Sequence, residues 1–143
     1  MNFKPILYVE DEENDAFFLQ RAFQQAEIPH PLVVVPDGQE AIDYCLASGR
    51  YQDRGEHPLP FLVLLDLNMP KKSGLEVLTW IREEFLLRTL PIIILTSSLQ
   101  EADIHRAYQA GANAYLGKPS RPDDLLKMVM AIKDFWIDHN RAI

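Results

Sequence analysis

Cysteine is nearly absent: Cys45 stands alone in 143 residues. No internal disulfide can form, and a reducing compartment, the cytoplasm, is the expected location. Cys45 itself falls in a helical pattern and reads as a small buried apolar group. Basic charge is also short, with 14 Lys and Arg against 21 Asp and Glu and a formal net charge of −7. The basic residues are scattered, so DNA would repel the chain and direct nucleic-acid binding is disfavoured. Long apolar runs are missing. The short one in "MNFKPILYVEDEEN" runs straight into four acids, which argues against a signal peptide or a membrane span. Repeats and low-complexity tracts are missing too. The histidines (His30, His57, His105, His139) lie far apart on helices or loops, read as surface residues and offer no ligand spacing.

What is present suits one domain with one ample core, since 48% of the residues are hydrophobic. Short apolar runs alternate with helical patterns. "PILYV" (5–9), "LVVV" (32–35), "FLVLL" (61–65), "PIIIL" (91–95) and "NAYL" (113–116) read as strands. Helical patterns follow at 13–26, 37–48, 73–84, 98–110 and 120–140. Asp37 with Glu40, Ser73 with Glu76 and Ser98 with Glu101 have capping-box spacing. Gly111 reads as a helix stop, and Ser120 as a cap ahead of Pro122 in the first turn. Continuous Leu and β-branched strands are covered on both faces, and parallel strands need crossover helices. The expected fold is therefore α/β, a doubly wound five-stranded parallel sheet with helices on both faces. The polar stretch "GRYQDRGEHPLP" (49–60) reads as a mobile surface loop.

In such a sheet, ligands bind beyond the C-terminal strand ends, where the winding direction reverses. Glu10 and Asp11 follow the first strand, Asp66 the third, Thr96 and Ser97 the fourth, and Lys118 the fifth. With the strand order 2-1-3-4-5, these groups converge on one shallow pocket. Two carboxylates about 4 Å apart repel by roughly 4 kcal/mol at an effective dielectric near 20. Three acids against one lysine must take up protons or hold a divalent cation. An all-oxygen set favours Mg²⁺ or Mn²⁺ over zinc. A Mg²⁺ held by few carboxylates keeps room for a phosphate oxygen, which points to phosphoryl chemistry. Asp66, the lone acid at its strand end, is the candidate nucleophile. Glu10 and Asp11 suit the metal; Lys118 and Thr96 suit the phosphoryl oxygens. Any one of these residues could instead cap a helix or make a local salt bridge. Their shared placement at strand ends is the signal.

The segments "ILYVEDEEND", "LVLLDLNMP…SG", "PIIILTSS" and "AGANAYLGKP", in this order and spacing, resemble the receiver domain of bacterial two-component response regulators. The resemblance implies that Asp66 accepts a phosphoryl group from a histidine kinase or a histidine phosphotransfer protein. It implies Glu10, Asp11, Asp66 and the Asn68 backbone carbonyl as the protein's Mg²⁺ ligands, with Mn²⁺ an adequate substitute. Thr96 matches the switch hydroxyl, Lys118 the family lysine, Tyr115 the switch aromatic, and Pro119 the residue expected after a cis peptide bond. Core packing is an equal explanation for Tyr115. Departures are Glu10 where Asp is commonest, Lys71 where glycine is frequent, Ser73 where aspartate is frequent, and Ser97 where a smaller residue is usual.

The expected organisation is a single receiver domain over 1–143, with a core of about 3–127, a long final helix of about 121–140 and no output domain. Output then runs through protein contacts or a phosphorelay. On the final helix, Leu125, Val129, Ile132 and Trp136 form one stripe, while Met128, Met130, Phe135 and Ile137 widen it. That extra apolar surface reads as a homodimer interface or, alternatively, as a deeper packing groove. The 49–60 loop and the "DFW" ending resemble the small single-domain regulators that partner bacterial and cyanobacterial phytochromes. Two other readings stand beside the phosphorylated switch. One is a pseudo-receiver that only binds partners. The other is a haloacid-dehalogenase-like phosphohydrolase, which Asn68 opposes because an amide cannot serve as general acid.

Overall fold

A computed structural model of the chain describes residues 3–141. Five strands, β1 (Ile6–Val9), β2 (Leu32–Val35), β3 (Leu62–Leu65), β4 (Ile92–Thr96) and β5 (Ala114–Gly117), pair in parallel in the order β2-β1-β3-β4-β5. The helices between and after them are α1 (Glu13–Gln25), α2 (Gly38–Leu46), α3 (Gly74–Glu83), α4 (Glu101–Ala110) and α5 (Pro122–Ile132). This is the fold the strand–helix alternation predicts.

The two-residue period of each strand builds two cores. Leu7 and Val9 of β1, with Val63, Leu65, Ile92 and Ile94, face Tyr44, Val77, Leu78, Ile81 and Ala107 from α2, α3 and α4. Ile6 and Tyr8, with Leu62, Leu64, Ile93 and Leu95, face Leu19 and Phe23 of α1 and Val129 and Ile132 of α5. The winding reverses at β1, which has β2 on one side and β3 on the other, so the ends of β1 and β3 are neighbours. Among the described residues, no helix is long and apolar enough to cross a membrane.

Local capping decides two of the helix starts as read. The Asp37 carboxylate accepts from the Glu40 N–H at 2.8 Å, and the Ser73 hydroxyl accepts from the Glu76 N–H at 3.2 Å. The other two caps are corrected. The α5 cap position is Arg121, not Ser120, because a residue preceding proline is driven into extended backbone (φ −105°, ψ 137°) and Pro122 then opens the helix. Helix α4 starts after Gln100, not Ser98. The Ser98 hydroxyl instead donates to Asp103 at 2.5 Å, while its carbonyl accepts from the Tyr115 hydroxyl at 2.8 Å.

Segment 49–60, expected as a mobile surface loop, carries packing and hydrogen bonds of its own. After a 3₁₀ turn at Gly49–Tyr51, Tyr51 is buried against Tyr44, and His57 packs edge-on to both rings. Arg54 donates to the carbonyls of Tyr44 (2.8 Å), Cys45 (2.5 Å) and His57 (2.9 Å), which ties the loop to the open C-terminal end of α2. His57 is therefore a packing residue, as is His30, whose ring meets Phe3 and Phe61. Arg54→Ala is expected to speed amide exchange over 50–58 about tenfold while the sheet amides keep their protection, measured by hydrogen exchange.

The final helix is not one continuous α-helix. It gives way to π-type winding at Lys133–His139, where the Lys133–Asp138 pair at 3.0 Å and the His139–Asp134 contact at 3.4 Å both span five residues. The Asn140 N–H closes the segment on the Phe135 carbonyl at 2.6 Å. The four apolar residues proposed as an interface are divided. Met128 and Ile137 pack against the α1–α5 core, whereas Met130 and Phe135 are each 54% exposed.

Candidate functional site

The strand ends carry the site. The Glu10 N–H bonds to the Val35 carbonyl of β2 at 3.0 Å, and the Asp66 N–H to the Val9 carbonyl of β1 at 3.2 Å. The backbone ladder thus fixes both acids at the winding reversal. Behind Asp66, the Gly74 N–H bonds to the Leu67 carbonyl at 2.9 Å. A Cβ on Gly74 would lie 2.1 Å from the Asp66 carbonyl oxygen, so only glycine lets α3 approach this closely. The intervening loop passes through Lys71 at φ 65°, the left-handed region that glycine prefers. Lys71 also pairs with the buried Asp37 carboxylate at 3.4 Å.

Carboxylate oxygens of Glu10, Asp11 and Asp66 all lie within 4.8 Å of one another. Glu10 and Asp66 are buried and Asp11 is exposed, so the cluster opens to solvent on one side. The Lys118 ammonium bridges it, contacting Glu10 most closely, then Asp15 at 2.9 Å and Asp66 at 3.2 Å. Burial pushes the Glu10 carboxyl up to about 6; repulsion from Asp66 adds to this, and the Lys118 and Tyr8 hydrogen bonds oppose it. Burial alone would lower Lys118, but its carboxylate neighbours outweigh that and push the ammonium above its usual range. The Tyr8 hydroxyl, itself raised by burial, donates to Glu10 at 2.8 Å.

Thr96 is fully buried, and its Oγ1 has no hydrogen-bond partner. Leaving such a hydroxyl unpaired costs about 1–3 kcal/mol, which needs a reason. The Lys118 main-chain N–H bonds to the Thr96 carbonyl at 2.8 Å, so the two residues meet at one strand-end junction. The Asn68 N–H approaches Asp66 Oδ1 at 3.4 Å, which brings the Asn68 backbone beside the cluster. Tyr115 is half-buried against the α2–α3–α4 core, with its hydroxyl on Ser98. The structure thus brings Glu10, Asp11, Asp66, Asn68, Thr96 and Lys118 together and sets Tyr115 at the margin. Met130 on α5 and Phe135 in the segment after it stand apart. The cis bond expected before Pro119 is absent, as no cis peptide occurs among the described residues. Trans is the lower-energy isomer of an X–Pro bond, and in it the Lys118 amine already reaches its carboxylates.

Sequence reading missed two members. Tyr8 lies two residues before Glu10, hence on the same strand face. Asp15 lies in the first turn of α1, which starts just past the Glu10–Asp11 strand end.

An all-oxygen set with one exposed member fits a hard divalent cation, and the ammonium and unpaired hydroxyl are donors suited to a tetrahedral oxyanion. Comparison with known proteins agrees with that chemistry. A family model described as the response regulator receiver domain matches residues 6–130. The chain is similar to response regulator Rcp1 of Synechocystis sp., with 38% identity over 135 residues, covering 94% of this chain and 90% of that protein. The crystal structure of the Mn²⁺-bound form of Rcp1 superposes with a TM-score of 0.88 at 37% identity, covering 98% of this chain and 99% of that one. The phosphorylated cyanobacterial phytochrome response regulator RcpA superposes with a TM-score of 0.90 at 36% identity, covering 98% of each chain. With sheet order, strand-end acids and sequence in agreement, the chain belongs to the receiver-domain family of two-component response regulators.

Proposed function

We propose that the chain is a phosphorylation-driven signalling switch that takes a phosphoryl group on Asp66 from a phosphohistidine of a sensor kinase. The observation that carries this reading is the meeting of three carboxylates, within 4.8 Å of one another, with the Lys118 ammonium. An Asp66 oxygen attacks phosphorus and forms a P–O bond as the P–N bond to the donor imidazole breaks; that ring takes up a proton on leaving. Lys118 and Thr96 donate hydrogen bonds to the phosphoryl oxygens as the bond forms. Glu10, Asp11, Asp66 and the Asn68 carbonyl would hold Mg²⁺, with Mn²⁺ as substitute. The ion supplies charge neutralisation for the attacking and transferred oxygens. The protein assists only its own phosphorylation and dephosphorylation.

The similarity to RcpA, a phytochrome response regulator by its description, supports a phytochrome-type kinase as the partner. The exposed Met130 and Phe135 support output through a protein contact, a second copy included. We place this activity in the cytoplasm and assign it no DNA contact.

Incubation with acetyl phosphate and Mg²⁺ tests the reading. Intact mass spectrometry is expected to show one phosphoryl adduct. Stripping divalent cations with EDTA is expected to cut its rate of formation by about a hundredfold. Multiple turnover of assorted phosphomonoesters, or no adduct with any donor, would overturn the proposal.

A further inference from the structure

We infer that Asp15 is a positioning residue: it engages one N–H of the Lys118 ammonium from the α1 side and so weakens that ammonium's competition for the carboxylates of the cation site. This inference rests on the functional reading above and concerns how the same site is regulated.

An ammonium has three N–H donors, and Lys118 meets three carboxylates, those of Glu10, Asp15 and Asp66. Asp15 differs from the other two. It touches the amine but lies outside the group of oxygens that Glu10, Asp11 and Asp66 form. Its side chain is 42% exposed, against 0% for Glu10 and 7% for Asp66. Asp15 and Lys118 also share a cavity of about 190 Å³ with Tyr8, Phe18, Leu19 and Pro119, a space that none of the three clustered acids lines. The amine therefore has both a partner and room on the side away from the cation.

Glu10 and Asp66 are wanted by two cations at once, the ammonium and the metal. Every N–H that Lys118 spends on Asp15 is one not spent on an oxygen the metal needs. Without the Asp15 charge, the ammonium's attraction is shared by Glu10 and Asp66 alone, and an incoming divalent ion displaces it less easily. Asp15 thus favours metal binding by weakening its competitor, and it holds the amine near enough to reach a phosphoryl oxygen once Asp66 is modified. Any direct attraction between Asp15 and the metal acts independently of Lys118, which makes the two routes separable.

A double-mutant cycle separates them, with Mg²⁺ affinity measured by calorimetry on the full chain. Asp15→Asn is expected to weaken Mg²⁺ binding about fivefold, in the range of a partly exposed ion pair. Asp15→Glu, which restores the charge, is expected to recover most of that loss. In a Lys118→Met background, Asp15→Asn is expected to change Mg²⁺ affinity less than twofold. A fivefold loss that persists without Lys118 would overturn the inference, as would an unchanged affinity in Asp15→Asn alone. Thermal melts of each variant check folding, and the exposed position of Asp15 makes loss of the fold unexpected. Wild-type protein that binds no Mg²⁺ and forms no adduct would sink the functional reading itself. Normal wild-type behaviour with a failed cycle would sink only the role of Asp15.

Discussion

Asp66→Asn is expected to form no adduct with acetyl phosphate at any Mg²⁺ concentration, while melting no lower than the wild type. The substitution keeps the side-chain shape and removes the anionic oxygen that attacks phosphorus. No neighbour replaces it. The Glu10 carboxylate is fully buried and already engaged by Tyr8 and Lys118, and Asp11 lies at the exposed edge. Stability is expected to hold because the rim carries four carboxylates against one ammonium, and removing one relieves repulsion. Lys118 keeps Glu10 and Asp15 as partners. The Glu10 carboxyl, held up partly by Asp66, is expected to titrate lower in the variant, as read by NMR. A full-strength adduct in Asp66→Asn would assign the nucleophile elsewhere.

Gly74→Ala is expected to lower stability by about 3 kcal/mol, the upper end of ordinary overpacking. For a chain of this size that lowers Tm by about 10 °C. The added methyl would meet the Asp66 carbonyl oxygen at 2.1 Å and the Leu67 Cα at 2.7 Å. Both are backbone atoms at the end of a central strand, so no rotamer change relieves the clash. Either α3 tilts away or the Asp66 backbone shifts. The second route misplaces the nucleophile, so adduct formation is expected to fall together with Tm. An unchanged melt would show that α3 docks more loosely than the contact distances imply.

The fold was legible because its signals are local and periodic. "LVLLD" and "IIILT" are strand cores followed at once by a polar residue, and strand order then brings those residues together. Asp37 and Ser73 were readable as caps because a cap needs only a donor three residues on. Ser98 and Ser120 have the same local pattern, but Tyr115 with Asp103 in one case and Pro122 in the other decide the geometry. The order in 49–60 was hidden, since Arg54 reaches carbonyls nine and ten residues back and polar composition says nothing of that. Asp15 was hidden by distance, as its partner lies 103 residues away. Phe135 and Ile137 exchange the exposure that a 3.6-residue period assigns them, because the π-type segment changes the phase after Ile132, whereas Met130 lies before that segment and its exposure follows the regular period.

The solitary Thr96 hydroxyl has a consequence for signal strength. In the reaction proposed, a phosphoryl oxygen becomes the acceptor that this group lacks at rest. The free energy regained is bounded by the penalty now carried, about 1–3 kcal/mol, which limits the bias from that one bond to roughly 5- to 150-fold. On the proposed function that single bond supplies only a modest bias, and a fuller response would need further contacts, Tyr115 being the half-buried side chain at the margin of the site.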